Sequence, residues 1–100
     1  MKHMVRYKLT AGRAAENERY IAAVFDALRQ SQPAGLRYAV FRLDDGLSFV
    51  HIVSHDEADG RNVLTELPSF KAFAAGIKER CDEQPARAEL TEIGSYGFTG

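Results

Sequence analysis

The stretch "LRYAVFRLDDGLSFVHIVS", residues 36–54, constrains this chain more than any other, because two runs rich in β-branched and aromatic residues are joined by Asp44-Asp45-Gly46. Such runs form strands, here residues 36–43 and 47–54, and aspartates closed by a glycine make the tight turn between antiparallel neighbours. Any fold for this chain must contain that hairpin. Its second half, "FVHIV", is bulky at successive positions. A strand with one wet face should instead alternate apolar and polar residues, so both faces of this hairpin need cover.

The rest of the chain alternates between the two periods of regular structure. Residues 4–10 set Val5, Tyr7 and Leu9 against Arg6 and Lys8, the pattern of a half-buried strand. After the glycine break in "TAGRAAEN", Ile21, Val24, Phe25 and Leu28 fall on one helical stripe and predict a helix over residues 14–30. Pro33 and Gly35 end it. Beyond the hairpin, "HDEADGRN" reads as a polar loop, with Asn62 suited to cap a short helical turn through "VLTEL". Pro68 then opens a second helix, on which Phe70, Phe73, Ala74, Ile77 and Cys81 face inward while Lys71, Lys78, Glu79 and Arg80 turn outward. That helix is expected to end near Asp82. "EQPAR" breaks the chain before "AELTEIGSYGF", read as a last strand interrupted at Gly94.

The order βαββαβ over residues 1–100 predicts a single ferredoxin-like α+β domain, with a four-stranded antiparallel sheet and both helices on one face. Leaving the other face of "FVHIV" wet would cost about 1.5–3 kcal/mol for each bulky side chain, against a domain stability of about 5–15 kcal/mol. A second copy packed sheet to sheet removes that cost. A homodimer hiding about 800 Å² or more per subunit is therefore expected.

Thirteen basic and fourteen acidic residues are interspersed, with no basic run to bind nucleic acid or an anionic membrane. The amino-terminal stretch lacks a long apolar core, and no segment approaches the eighteen or so apolar residues that span a bilayer. Cys81 is the only cysteine, which rules out an intramolecular disulfide and suits a reducing cytoplasm.

Candidate chemistry centres on His51, an imidazole between Val50 and Ile52. It is read either as an acid/base or hydrogen-bonding group at a pocket, or as a buried histidine satisfied by a backbone group, a tyrosine or a dimer mate. The hairpin register decides its neighbours, because a slip of one residue moves every side chain to the other face. A type I turn with a left-handed Gly46 pairs Leu43 with Leu47 and groups His51 with Ala39, Phe41 and Phe49, towards the helices. A two-residue turn groups it with Tyr38, Val40 and Arg42, towards the dimer interface. The first suits the aspartate pair better. Tyr7, Tyr38 and Arg42 are candidates to orient an aromatic or anionic ligand, and Phe70 and Phe73 to wall a pocket, although a strand tyrosine more often serves in core or interface and the two phenylalanines in the core. Arg61 and Asn62 suit a pocket mouth or an ordinary loop. "HDEADGRNVLTE" spaces acidic residues somewhat like a calcium loop, but its first position is His55 and a strand precedes it, so no metal site is assigned.

The whole chain resembles the dimeric α/β-barrel superfamily, nearest to antibiotic biosynthesis monooxygenase-type domains. The resemblance rests on "MVRYKLTAGRAAEN", the hairpin "FRLDDGLSFVHIVS" and "LTELPSFKAFAAGI". It implies a small-molecule pocket between the sheet and its helices, and cofactor-independent oxygenation of aromatic or quinol-like compounds, with His51 as acid/base and no cofactor. A non-catalytic ligand-binding or assembly role on the same fold is the alternative. Haem-degrading members carry asparagine near the position of Val5, histidine near Ala74, and a tryptophan that this chain lacks, so haem is not implied. The Glu-x-Trp pattern of related oxygenases meets Val53-Ser54-His55 here, and no catalytic set carries over by motif.

Overall fold

The computed structural model describes residues 2–56 and 63–98. Strand β1 (Lys2–Leu9) leads into helix α1 (Ala14–Ser31), followed by strands β2 (Leu36–Arg42) and β3 (Ser48–His55). A 3₁₀ turn (Val63–Glu66), helices α2 (Pro68–Ala75) and α3 (Ile77–Arg80), and strand β4 (Cys81–Glu89) complete the order. The four strands form one antiparallel sheet in the order β2-β3-β1-β4, and α1 and α2 pack on one face. This is the ferredoxin-like arrangement expected from the sequence. Tyr7 and Leu9 of β1, Phe49 and Val53 of β3, Val24 of α1, Leu64, Phe73 and Ile77 form the core between the layers. Among the described residues no helix is long and apolar enough to cross a membrane.

The hairpin differs from expectation by one residue. Gly46 takes the left-handed conformation, and its N–H closes a turn on Leu43 O at 3.0 Å. Leu43, however, pairs with Ser48 instead of Leu47. The cause is the Asp45 carboxylate, which accepts the N–H groups of Leu47 and Ser48 at 2.8 and 2.7 Å and the Ser48 hydroxyl at 2.6 Å. These bonds hold its pKa down at about 2. Leu47 leaves the hairpin ladder and its carbonyl accepts from Leu9 N–H of β1 at 2.9 Å. Val40 therefore lies opposite His51, and Tyr38 opposite Val53.

The carboxyl-terminal third needs two corrections. The second helix stops at Arg80, and β4 begins at Cys81, running through the segment "EQPAR" that reads as a break. Pro85 is tolerated because β4 is an edge strand, and the register between β1 and β4 shifts between Arg6 and Lys8, where Pro85 lies. "LTEIGSYGF" in turn is not a strand. Leu90 N–H bonds to Lys2 O at 2.9 Å, at the start of the described part of β1, and the following residues find no strand to pair with.

Candidate functional site

Alternation along the sheet puts Val5, Tyr7, Tyr38, Val40, His51 and Val53 on the face beneath the helices. Between this face and α2 lies a cavity of about 190 Å³. Tyr38, His51, Phe70 and Phe73 all contribute to its wall. His3, Val5 and Leu64 add to it. Arg42, also a candidate, does not reach it. Its guanidinium lies at the surface and pairs with Glu18 of α1 at 2.9 Å. Arg61 and Asn62, like Glu57, Asp59 and Gly60 of the calcium-like loop, fall outside the described residues.

His51 is buried, and both ring nitrogens are engaged by tyrosines. Nε2 lies 2.7 Å from the Tyr7 hydroxyl and Nδ1 lies 2.7 Å from the Tyr38 hydroxyl. The ring packs on Phe73 with centroids 5.3 Å apart, and Tyr38 stacks on Phe25 of α1 at 5.1 Å. Burial holds the imidazole neutral by lowering its pKa to about 4, and the same desolvation raises both tyrosine hydroxyls. His51 thus sits in the register grouped with Tyr38 and Val40, yet faces the helices and not the open face. The two faces are the reverse of those expected for this register, because Val5 and Tyr7 of β1, which share the face of His51, fix which face the helices cover.

Two residues in this network were not anticipated. Asn17 of α1 is fully buried and donates from Nδ2 to the Tyr7 hydroxyl at 2.9 Å. Arg80, expected to face outward, is 1% exposed. It donates from Nε to Asn17 Oδ1 at 3.1 Å and from Nη2 to Phe73 O at 2.9 Å, and its guanidinium lies over the rings of Tyr20 and Phe73. Gly76 makes room for it. A Cβ there would stand 2.7 Å from Arg80 Nη1. The sequence did carry a signal, since Asn17 precedes Ile21 by four and Val24 by seven, and Arg80 follows Phe73 by seven; both are polar residues on apolar stripes.

A third residue, His3, lines the cavity at 7% exposure, and its Nδ1 is buried without a hydrogen-bond partner. Desolvation first, and then the nearby Arg87, lower its pKa and keep it neutral. Cys81 is half-buried at the start of β4, and burial raises its thiol pKa, the reverse of what an activated thiolate requires.

A ferredoxin-like sheet with an apolar cavity under its helices, polar only at a few points of its wall, defines the class of this protein. No family model matches the sequence, and no curated protein matches it. Solved structures do match. A protein from Bacteriodes thetaiotaomicron described as an antibiotic biosynthesis monooxygenase superposes with a TM-score of 0.79 at 13% identity, covering 100% of this chain and 94% of that one. One of the same description from Nitrosomonas europaea gives 0.75 at 9% identity, over 96% and 92%. SnoaB from Streptomyces nogalater, a cofactor-independent oxygenase, gives 0.69 at 20% identity, over 97% and 96%. The fold is that of antibiotic biosynthesis monooxygenase-like proteins, as the sequence resemblance implied.

Proposed function

We propose that this protein binds a small neutral aromatic compound in the cavity beneath α2 and acts on it as a cofactor-independent monooxygenase. The observation that carries the binding is the cavity itself, an apolar space whose lining residues include Tyr38 and His3, the latter with a buried and unpartnered Nδ1. An unsatisfied buried polar atom costs about 1–3 kcal/mol, and a hydroxyl or carbonyl on a ligand would recover it. Volume bounds the ligand. A cavity of about 150 Å³ holds benzene, whereas drug-sized pockets run to about 300–1,000 Å³, so about 190 Å³ suits one ring with small substituents.

The likeness to a cofactor-independent oxygenase suggests the chemistry. A hydroquinone and O₂ would give a hydroxyquinone and water, with the substrate supplying all the electrons. Oxygen uptake with a panel of monocyclic hydroquinones, alongside calorimetric binding of the same compounds, tests this. A second reading, a binding protein without catalysis, is favoured by one observation: both nitrogens of His51 are already bonded within the protein, leaving no free base there. Binding without oxygen uptake would select it, and neither binding nor uptake would refute both.

We further propose that a second copy covers the open face of the sheet. Met4, Ala39, Val50 and Ile52 are half-buried there, Phe41 is 48% exposed, and Ile93, Tyr96 and Phe98 of the tail are more exposed still. Lys2, Arg6 and Lys8 confine the apolar area largely to β2 and β3. Light scattering behind a sizing column would return twice the chain mass if this is so, and the chain mass if it is not.

A further inference from the structure

The residues around His51 form one continuous hydrogen-bonded chain, and its proton positions follow from its far end. Arg80 can only donate. Its bond to Asn17 therefore makes the accepting atom Oδ1 and turns the amide nitrogen, also a donor, towards Tyr7. The Tyr7 oxygen accepts that bond, so its own hydrogen must go to its remaining neighbour, His51 Nε2. A neutral imidazole accepting at Nε2 carries its proton on Nδ1. Nδ1–H then donates to the Tyr38 oxygen. Tyr38 is left with a hydroxyl hydrogen that no group among the described residues accepts, on a side chain that lines the cavity.

We infer that Arg80, through Asn17, Tyr7 and His51, sets the direction of this chain so that Tyr38 presents its O–H to the cavity and selects ligands bearing an acceptor oxygen. Arg80 and Asn17 are positioning residues, several groups away from the ligand they influence. His51 serves as a relay of direction and takes no proton from the ligand. The opposite direction would require the Tyr7 oxygen to accept from both Asn17 and His51, stranding its own hydrogen inside the core. Burial of His51, which keeps the ring neutral, removes the remaining alternative of an imidazolium that donates at both ends.

The selection step rests on the cavity being the ligand site, whereas the direction of the chain does not, and the test separates the two. Nitrogen NMR of the full-length wild-type protein reads the His51 tautomer without any ligand. The Nδ1–H form is expected, and the Nε2–H form or an imidazolium at neutral pH would overturn the inference. Asn17→Asp supplies the second arm. A carboxylate accepts from both Arg80 and Tyr7, so Tyr7 would turn its hydrogen away from His51, the tautomer would switch to Nε2–H, and Tyr38 would donate to Nδ1. Acetophenone and its isostere α-methylstyrene, which lacks the carbonyl oxygen, then serve as probes. Asn17→Asp should weaken acetophenone about tenfold and leave α-methylstyrene within about twofold. Equal loss for both probes, or an unchanged tautomer in a folded Asn17→Asp protein, would overturn the role given to Tyr38. Binding of neither probe to either protein would refute the proposed ligand site, with the wild-type tautomer still deciding the direction of the chain.

Discussion

Acid should destabilise this protein in a range where few carboxylates titrate, because His51 is neutral when folded. Its pKa is about 4 in the fold, lowered by burial, against 6.5 when exposed. Between those values the unfolded chain holds a proton that the native protein does not, so native stability falls as pH falls from 6.5 towards 4 and is fully present above 6.5. Each pH unit in that window is worth about 1.4 kcal/mol, so moving from pH 7 to pH 5 should remove about 2 kcal/mol of a domain stability of about 5–15 kcal/mol. His3, also lowered by burial, contributes with the same sign. Urea unfolding at fixed protein concentration measures the total. His51→Gln isolates one share, since glutamine can bond to both tyrosines but does not titrate. The variant should lose about 2 kcal/mol less than wild type between pH 7 and pH 5. Equal losses in the two proteins, or a His51 proton resonance titrating near pH 6.5, would refute the account of a desolvated, neutral imidazole.

Gly76→Ala should cost about 1–3 kcal/mol in urea unfolding and displace the guanidinium of Arg80, because the added carbon would stand 2.7 Å from Nη1. Phe41→Glu should convert the proposed dimer to monomer by sedimentation with little change in the circular dichroism of the fold, since the ring is 48% exposed in the single chain. Asp45→Ala should speed amide exchange at Leu47 and Ser48, whose N–H groups lose their acceptor. With a folded pKa of about 2 against 3.8, the support from Asp45 is present above pH 3.8 and fades as pH falls towards 2.

The layers of the fold were legible because periodicity reports burial directly. Val5, Tyr7 and Leu9 alternate, Val24 and Leu28 recur at helical spacing, and each faces the layer that its period predicts. The hairpin register was not legible in the same way. It turns on whether a carboxylate captures two backbone N–H groups, which residue type permits at Asp45 without requiring it. The end of the chain misled for a related reason. β-branched and aromatic residues favour a strand after Glu89, but a strand also needs a partner, and β1 offers Leu90 only a last bond at Lys2. Of the residues that line the cavity, Tyr38, His51, Phe70 and Phe73 were among the sequence candidates and His3 was not, whereas Arg80 was counted as outward because charge normally outweighs position on a stripe. Only the gap at Gly76, the acceptors on Asn17 and Phe73, and two aromatic faces together make its burial affordable.

That burial bears on the register itself. Arg80 comes from α3, Asn17 from α1, Tyr7 from β1, His51 from β3 and Tyr38 from β2, so the chain of bonds ties five elements to one another. Slipping β2 by one residue against β3 would put Ala39 or Arg37 in place of Tyr38 and leave the Nδ1–H of His51 buried without an acceptor, at about 1–3 kcal/mol. Slipping it by two would restore the face but place Val40 or Leu36 there, with the same loss. The Asp45 turn, at the far end of the hairpin, favours the same pairing by drawing Leu47 out of the ladder. Two unrelated devices, one at the surface and one in the core, thus select one register, and an apolar residue at position 51 would remove the inner one. An imidazole within a greasy strand therefore has a structural reason to be there even before any ligand enters, and the hydrogen it leaves on Tyr38 is what that structure can offer to one.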